Sequence, residues 1–175
     1  DKIDVAIEFT TPNVDENNVI RILKAGISVV SGTTGWEPDF DSISQICGKT
    51  KSAFFYASNF SIGVNIFMEI NRKLASLISS FPDYKVKIKE THHVHKLDKP
   101  SGTAISLAQG IMDNHCEYTN WVLKSDANIQ ELPVDAFREG EVFGDHNIVW
   151  ENDIDRIEIM HSAKSRKGFA TGALM

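Results

Sequence analysis

Cysteine is scarce in this sequence, which holds only Cys47 and Cys116 among its 175 residues. Two cysteines do not make a disulfide framework, so we expect a chain that works in a reducing cytoplasm. Long apolar runs are missing as well: no stretch approaches the roughly 18 residues that a membrane-spanning helix needs, and the amino end carries no secretory signal. The sequence therefore predicts neither a membrane partner nor export.

An excess of positive charge is also missing. The net charge is -6 at pH 7, which gives no reason to expect nucleic acid or an anionic membrane as a partner. The hydrophobic share of 42% and the charged share of 24% are ordinary for a soluble globular protein. A chain of 175 residues can build one ordinary core or two small ones.

Strand and helix patterns alternate in the amino-terminal third. Residues 2–10 have the pattern of a strand, 14–26 that of an amphipathic helix closed by a glycine, and 27–30 that of a short buried strand. Strand, helix and strand in about thirty residues predict a βαβ unit with parallel strands. A helix pattern over 38–47 and a strand pattern over 52–56 continue the alternation.

The rest of the chain combines long helices with further strands. The apolar spacing over 62–80 predicts a long amphipathic helix. After a second helix that starts at Ser101, strand patterns cover three segments, 121–125, 138–150 and 155–163. Residues 126–135 carry few periodic signals. The alternation in these strands predicts an open sheet with one buried face.

Titratable and anion-binding groups are concentrated in residues 90–104, ETHHVHKLDKPSGTA. Alternation over 84–90 predicts a strand, so the histidines follow its carboxyl end, where chemistry often collects. Pro100 argues against continuing a strand or helix, and 101–103 then opens a helix whose free N–H groups suit a carboxylate or phosphate. Lys96 adds a mobile cation, and histidines exchange protons near neutral pH. Together these groups predict a site for an anionic substrate that must be protonated.

Simpler interpretations of single residues stay open. Ser101 is as well explained as an ordinary helix N-cap as by a ligand contact. His92, His93 and His95 are spaced closely enough to bind zinc, but no nearby cysteine pair or HExxH motif completes a ligand set, so we expect no metal. Any one of these histidines alone is best explained as a solvated loop residue, and only the combination indicates a site.

The pattern E-x-H-H-x-x-K-x-D-x-P-S-G-T-A, matched at every fixed position by residues 90–104, resembles the signature of the 4-hydroxy-tetrahydrodipicolinate reductase family of lysine and diaminopimelate biosynthesis. The resemblance implies hydride transfer from NADH or NADPH to a cyclic, unsaturated, dicarboxylate-bearing nitrogen heterocycle. It implies that His92 is a proton donor or acceptor and Lys96 a second proton donor, because charge that builds on the ring is stabilised by a cation and removed by a proton. The substrate carboxylates would be held by four residues, His93, Ser101, Gly102 and Thr103.

Two further segments resemble the parts of this family that contact the dinucleotide near its nicotinamide end. The sequence G-T-T-G begins at Gly32, and A-x-N-F-S-x-G begins at Ala57. By itself a glycine-containing turn after a strand is better explained as a plain turn. With the resemblance, the implied cofactor contacts are Gly32, Thr33, Thr34, Ala57, Ser58, Asn59 and Phe60.

The carboxyl end resembles the S-R-x-x-F-A-x-G-A segment with which the family returns to its dinucleotide domain. Arg166 and Phe169 would border the cofactor there, although Arg166 as a plain surface charge is an equally open alternative. No G-x-G-x-x-G loop occurs in the sequence, whereas the family holds the pyrophosphate on such a loop. We therefore expect a reductase that lacks its first strands and binds dinucleotide weakly as an isolated chain, with NADH and NADPH both candidates.

The fold expected from this resemblance is α/β: a partial Rossmann-like parallel sheet, then an α+β substrate and oligomerisation domain with an open mixed sheet. Residues 1–60 would be the remainder of the dinucleotide-binding domain, 61–164 the substrate-binding and oligomerisation domain, and 165–175 the return segment. One continuous α/β domain is the alternative that composition leaves open. The family resemblance also implies a homo-oligomer, a tetramer.

Two other functions remain open at this stage. Because both ends look truncated, the chain is alternatively a non-catalytic substrate-binding and oligomerisation module. A metal-dependent hydrolase that uses the histidines is a weaker alternative.

Overall fold

The computed structural model describes residues 2–123 and 128–175 of the chain. Within this part the chain forms, in order, β1 (Val5–Glu8), α1 (Pro12–Lys24), β2 (Ser28–Ser31), α2 (Phe40–Thr50), β3 (Phe54–Tyr56), α3 (Ile62–Ile78), β4 (Lys85–His92), α4 (Gly102–Met112), β5 (Asn120–Val122), β6 (Glu131–Arg138), β7 (Asp145–Glu151), β8 (Arg156–Ser162) and α5 (Lys167–Leu174). The predicted strand over 121–125 corresponds to β5, and its positions 124 and 125 lie outside the described residues. In the part that the structure describes, no helix has both the length and the apolar composition to cross a bilayer.

The backbone forms two compact units, the first made of residues 1–60 and 169–175 and the second of residues 61–168. In the first unit, β1, β2 and β3 form a three-stranded sheet in that order, and both strand pairs are parallel. The predicted βαβ unit is thus confirmed, since parallel neighbours need a crossover helix between them. The core of this unit consists of Val19, Leu23, Val29 and Ile43.

The second unit has a five-stranded mixed sheet in the order β5-β6-β4-β7-β8. Its central strand β4 is parallel to β6 and antiparallel to β7, and β7 is antiparallel to β8. Residues of α3 and α4 pack with one face of this sheet in a core that includes Phe67, Ile78, Leu107, Ile111, Ile88, Val134, Ile148 and Trp150. The predicted α/β class, with a parallel sheet followed by a mixed one, is confirmed.

One strand of the second unit was not predicted. β6 covers Glu131–Arg138, a region where the sequence offered few periodic signals, and Arg138 ends this strand instead of beginning the next one. The strand alternates in the usual way, with Leu132, Val134 and Ala136 buried. Pro133 obscures the alternation because proline is disfavoured inside a sheet. The predicted strand over 138–150 was therefore wrong at its start, and β7 begins only at Asp145.

The buried face of the mixed sheet becomes polar at one end. Along β4 the inward positions are Val86 and Ile88 and then Glu90 and His92. Arg138 ends β6 in the same alternation, opposite His92 in the parallel register. His146 lies at the start of β7, and since β7 is antiparallel it occurs at the same end of the sheet.

Candidate active site

The polar end of the sheet is arranged around the carboxylate of Glu90, whose side chain is fully buried. Oε1 accepts the backbone N–H of Ser101 at 2.9 Å and two guanidinium N–H groups of Arg138 at 3.3 and 3.4 Å. Oε2 lies 3.5 Å from Nδ1 of His92 and 3.7 Å from Nε2 of His146. A buried carboxylate is stable only when it is paired and hydrogen-bonded. Arg138 and Ser101 do this for Oε1, whereas Oε2 has no hydrogen-bond partner among the described residues.

His92 and His146 lie edge to face beside this carboxylate, with ring centroids 5.1 Å apart. Burial lowers the pKa of His92 below its ordinary value, an effect that the charge of Glu90 opposes. Burial also lowers the pKa of His146, to about 3, and the neighbouring histidines and Lys96 act in the same direction. Nε2 of His146 lies 3.3 Å from the hydroxyl of Ser101, so the sheet and the start of α4 are linked through this pair.

Glu90, His92 and His146 are also candidate metal ligands in the described part of the chain. Each offers one donor atom, and the three atoms lie within 4.8 Å of one another. Two imidazoles and a carboxylate are a chemically reasonable set for a divalent ion. However, the guanidinium of Arg138 already neutralises this carboxylate at 3.3 Å, so a divalent ion would lie beside a fixed cation. We conclude that the arrangement fits an ion-paired polar core better than a metal centre.

The segment between β4 and α4 carries the predicted proton donor Lys96. Its ammonium donates to both carboxylate oxygens of Asp98, at 2.6 and 2.8 Å. Burial raises the pKa of Asp98, but the hydrogen bond and charge of Lys96 outweigh burial, and the net pKa is lowered. Arg138 donates to the backbone carbonyls of both residues, with Nε 3.2 Å from the Lys96 oxygen and Nη2 hydrogen-bonded to the Asp98 oxygen. The backbone of this segment is therefore attached to the sheet at two points.

Helix α4 begins as the sequence predicted. The Ser101 hydroxyl is its N-cap and accepts the N–H of Ala104 at 3.2 Å, so the ordinary structural role of this serine is present. Ser101 itself is buried, whereas Gly102 is exposed and Thr103 is half-buried. A Cβ added to Gly102 would meet nothing within 4 Å, so the backbone at this helix N-terminus is open to an approaching group.

A cavity of about 280 Å³ in the second unit is lined by His93, His95, Glu141, Phe143 and Arg166. Nη2 of Arg166 lies 3.4 Å from Nε2 of His93, and Nδ1 of His93 is buried without a hydrogen-bond partner among the described residues. On the exposed side, His95 pairs with Glu141 at 3.0 Å. A guanidinium and an imidazole that share a cavity can bind a carboxylate.

In the first unit, the residues predicted to contact the cofactor follow the carboxyl end of β2. The Thr33 hydroxyl is buried and donates to Glu8 at 2.7 Å, whereas Thr34 is exposed. A Cβ on Gly32 would lie 2.3 Å from the ring of Phe9, so a larger residue has no space there. This turn presents Thr34 at the edge where parallel sheets bind ligands, while Thr33 and Gly32 have structural contacts.

The second predicted cofactor segment follows β3. Ser58 is exposed, Ala57 and Asn59 are half-buried, and Phe60 is buried with its ring 5.6 Å from that of Phe9. Phe169 is half-buried in α5. A Cβ on Gly172 of this helix would lie 1.8 Å from the Phe60 carbonyl oxygen, so α5 packs closely against that segment. Phe169 thus belongs to the first unit, and Arg166 to the second.

Sequence reasoning missed three residues of the site: Arg138, His146 and Glu141. A usable signal existed for the first two. Arg138 follows Leu132, Val134 and Ala136 at even positions of one strand, and His146 precedes Ile148 and Trp150 in another. A charged or titratable residue in the apolar phase of a strand is placed on the buried face, where it needs a partner. Glu141 lies in a turn and gave no such signal.

Comparison with known protein families gives two matches that together cover nearly the whole chain. The family model described as dihydrodipicolinate reductase, N-terminus, matches residues 1–60. The model described as dihydrodipicolinate reductase, C-terminus, matches residues 63–175.

Individual relatives agree with these matches. The 4-hydroxy-tetrahydrodipicolinate reductase of Christiangramia forsetii is 50% identical over 174 residues, which are 99% of this chain and 72% of that protein. The enzyme of the same name from Methanocaldococcus jannaschii is 34% identical over 180 residues, 99% of this chain and 65% of its own length. A dipicolinate-bound dihydrodipicolinate reductase from Paenisporosarcina sp. TG-14 superposes with a TM-score of 0.72 at 25% identity, covering 98% of this chain and 66% of that structure.

Proposed function

The chain belongs to the dihydrodipicolinate reductase family, and on that premise we propose that it reduces a cyclic dicarboxylate of the tetrahydrodipicolinate type with NADH or NADPH. Its curated relatives are named 4-hydroxy-tetrahydrodipicolinate reductases, so we place the proposed reaction in lysine and diaminopimelate biosynthesis. The observation that carries the proposal is the second unit's combination of an open helix N-terminus, an arginine–histidine cavity and a buried histidine pair.

The second unit supplies the groups for a dicarboxylate. One carboxylate would be bound by the N–H groups at Gly102 and Thr103, where the helix dipole favours negative charge. The other would be bound by His93 together with Arg166, which lie 3.4 Å apart in one cavity. We therefore assign Arg166 to the substrate and not to the cofactor. A guanidinium is well suited to this role because it holds a carboxylate with two parallel hydrogen bonds.

Protonation of the substrate would be divided between His92 and Lys96. Because burial lowers the pKa of His92, its imidazole is mostly neutral near pH 7 and is best suited to accept or donate a hydrogen bond. The ammonium of Lys96 is held by Asp98 and is the proposed proton donor. This division supports Lys96 as the group that delivers the proton, while His92 stabilises the charge that builds on the ring.

The first unit would bind the dinucleotide, which supplies the hydride when bound. Its parallel sheet ends in two turns at one edge, with Thr34 after β2 and Ser58 after β3 exposed there. These hydroxyls would contact the cofactor together with the neighbouring backbone, which includes that of Gly32, Thr33, Ala57 and Asn59. Phe60 and Phe169 would support the cofactor-binding turns by packing behind them. Residues 1–60 are thus the proposed dinucleotide-binding part, 61–164 the substrate-binding and oligomerisation part, and 165–175 the return segment.

The face of the mixed sheet opposite the helices is a proposed contact between copies of the chain. It carries the ion pair of Lys87 and Glu151 at 2.6 Å. It also exposes Phe137 and Met160, by 51% and 59%. A tetramer is the form that the family resemblance suggests. The unpaired thiols of Cys47 and Cys116 support a reducing cytoplasm as the location.

The deciding experiment uses the complete gene product. Loss of NADH or NADPH absorbance with 4-hydroxy-tetrahydrodipicolinate as substrate is expected, and calorimetry should detect binding of both pyridine-2,6-dicarboxylate and the dinucleotide. Benzene-1,3-dicarboxylate, which lacks the ring nitrogen, is the matched control ligand. Binding of the pyridine dicarboxylate without any dinucleotide binding or turnover would favour the non-catalytic module and overturn the proposal.

A further inference from the structure

We infer that the buried ion pair of Glu90 and Arg138 is a positioning device that sets the backbone between His92 and Ser101, and with it the ammonium of Lys96. The inference rests on the proposed reductase function and adds two residues to it. In this proposal neither side chain contacts the substrate.

Arg138 attaches the segment to β6 by bonds to backbone oxygens. Its guanidinium donates to the carbonyl of Lys96 at 3.2 Å, to the carbonyl of Asp98, and to its strand neighbour Phe137 at 2.6 Å. The side chain is only 15% exposed, so these bonds are largely shielded from water. Because the bonded oxygens belong to the proton donor and to the residue that holds its ammonium, the position of Arg138 determines where the donor lies.

Glu90 fixes the other end of the same segment. Its Oε1 accepts the N–H of Ser101 at 2.9 Å, immediately before the first residue of α4. Its Oε2 lies 3.5 Å from Nδ1 of His92, the last residue of β4. A single carboxylate therefore contacts the residue before the segment, the residue after it and the guanidinium that holds its middle.

A planar guanidinium is required for this arrangement. Arg138 reaches three carbonyls and one carboxylate at the same time, which a lysine ammonium cannot reproduce because it is a point charge on a flexible stem. A displacement of about 1 Å at a reacting group costs on the order of a hundredfold in rate. Loss of the Arg138 contacts should therefore reduce turnover far more than it weakens ligand binding at the open N-terminus of α4.

A purely structural role makes a different prediction. Removing one partner of a buried ion pair leaves an unpaired charge and destabilises the fold, whereas removing both leaves no such charge. If the pair served only stability, the double variant Glu90→Gln/Arg138→Met would regain activity together with its melting temperature. If the pair positions the segment, turnover stays low although the melting temperature recovers.

The experiment compares Arg138→Lys and the double variant with the wild-type complete protein. For both variants we expect kcat to fall by about tenfold or more and the Kd for NADPH to stay within about twofold, as measured by steady-state kinetics and calorimetry. Arg72→Lys is the matched control, because Arg72 pairs with Glu69 at 3.2 Å but on an exposed helix surface. Its kcat should equal that of the wild type.

A double variant with wild-type melting temperature and wild-type kcat overturns the inference. Should the double variant fail to fold, Arg138→Lys decides: a kcat within twofold of wild type overturns positioning, and a lower kcat with an unchanged NADPH Kd supports it. Failure of the proposed function is a separate result, since the wild-type protein itself would then show no reductase activity.

Discussion

Gly144 lies against the imidazole of His92: a Cβ added at Gly144 would be 3.0 Å from the Nε2 atom of that ring. The glycine has a φ of 150° and precedes β7, on the turn that follows β6. Its missing side chain leaves the space in which the His92 ring sits. The orientation of His92, the predicted catalytic histidine, thus depends on Gly144, which lies 52 positions later in the chain.

The first prediction is that Gly144→Ala lowers kcat by roughly tenfold to a hundredfold, because the methyl group displaces the imidazole. Steady-state kinetics measure the effect. The control is Gly140→Ala, which also places an alanine at a positive φ, 45°, although an added Cβ meets nothing within 4 Å. Equal kcat values in the two variants would show that the His92 contact has no catalytic importance.

The second prediction concerns Lys96, whose ammonium donates to Asp98 at 2.6 Å. Lys96→Ala should lower kcat by about 10²–10⁴-fold, the usual contribution of a positioned proton donor. The affinity for NADH or NADPH should change little, because the lysine belongs to the second unit. Kinetics and calorimetry on the complete protein measure both, with the exposed Lys73→Ala as the control. Unchanged turnover in Lys96→Ala would remove Lys96 from the mechanism.

The sequence predicted the parts of the molecule that are local in the chain. Helix α4 and its Ser101 cap, the βαβ unit and the mixed sheet follow from periodicity and from the signature of residues 90–104. The contacts that connect the site are not local: Glu90 and Arg138 are 48 residues apart, and Ser101 and His146 are 45 apart. Such pairs depend on strand order and register, which a single sequence does not specify.

The third prediction tests where Arg166 acts. Arg166→Ala should weaken binding of pyridine-2,6-dicarboxylate by about 10- to 100-fold, the loss expected when a charge-assisted hydrogen bond is removed. The affinity for NADPH should stay within about twofold. Calorimetry with each ligand gives both constants, and Arg156→Ala, which removes a cation from an exposed pair at 2.7 Å, is the control. Loss of NADPH affinity with unchanged dicarboxylate affinity would assign Arg166 to the cofactor instead.

The fourth prediction uses the open backbone at the start of α4. Gly102→Ala is tolerated by the fold, because the new methyl group meets no atom within 4 Å. It should raise the Kd for pyridine-2,6-dicarboxylate by on the order of tenfold, since the methyl group occupies the space that a carboxylate needs in front of the helix N–H groups. Gly48→Ala, another open position inside a helix, is the control. Identical dicarboxylate affinity in the two variants would exclude the N-terminus of α4 as a binding site.

The last prediction follows from the lowered pKa of His146. Its pKa falls from 6.5 to about 3 in the folded protein. The unfolded chain therefore binds a proton at a higher pH than the native state does, so stability from the neutral imidazole is complete above about pH 6.5 and is lost progressively as the pH falls towards 3. Within that window His146 alone contributes a slope of at most about 1.4 kcal/mol per pH unit to the free energy of unfolding.

His146→Gln should reduce that slope, which urea unfolding at a series of pH values measures through the fluorescence of the buried Trp150. The groups that face His146 are Glu90 and His92 from β4, His161 from β8, Ser101 at the start of α4, and Lys96. They remain in the variant, so the change in slope reports the loss of one imidazole. The same slope in His146→Gln and wild type would mean that burial does not keep His146 neutral.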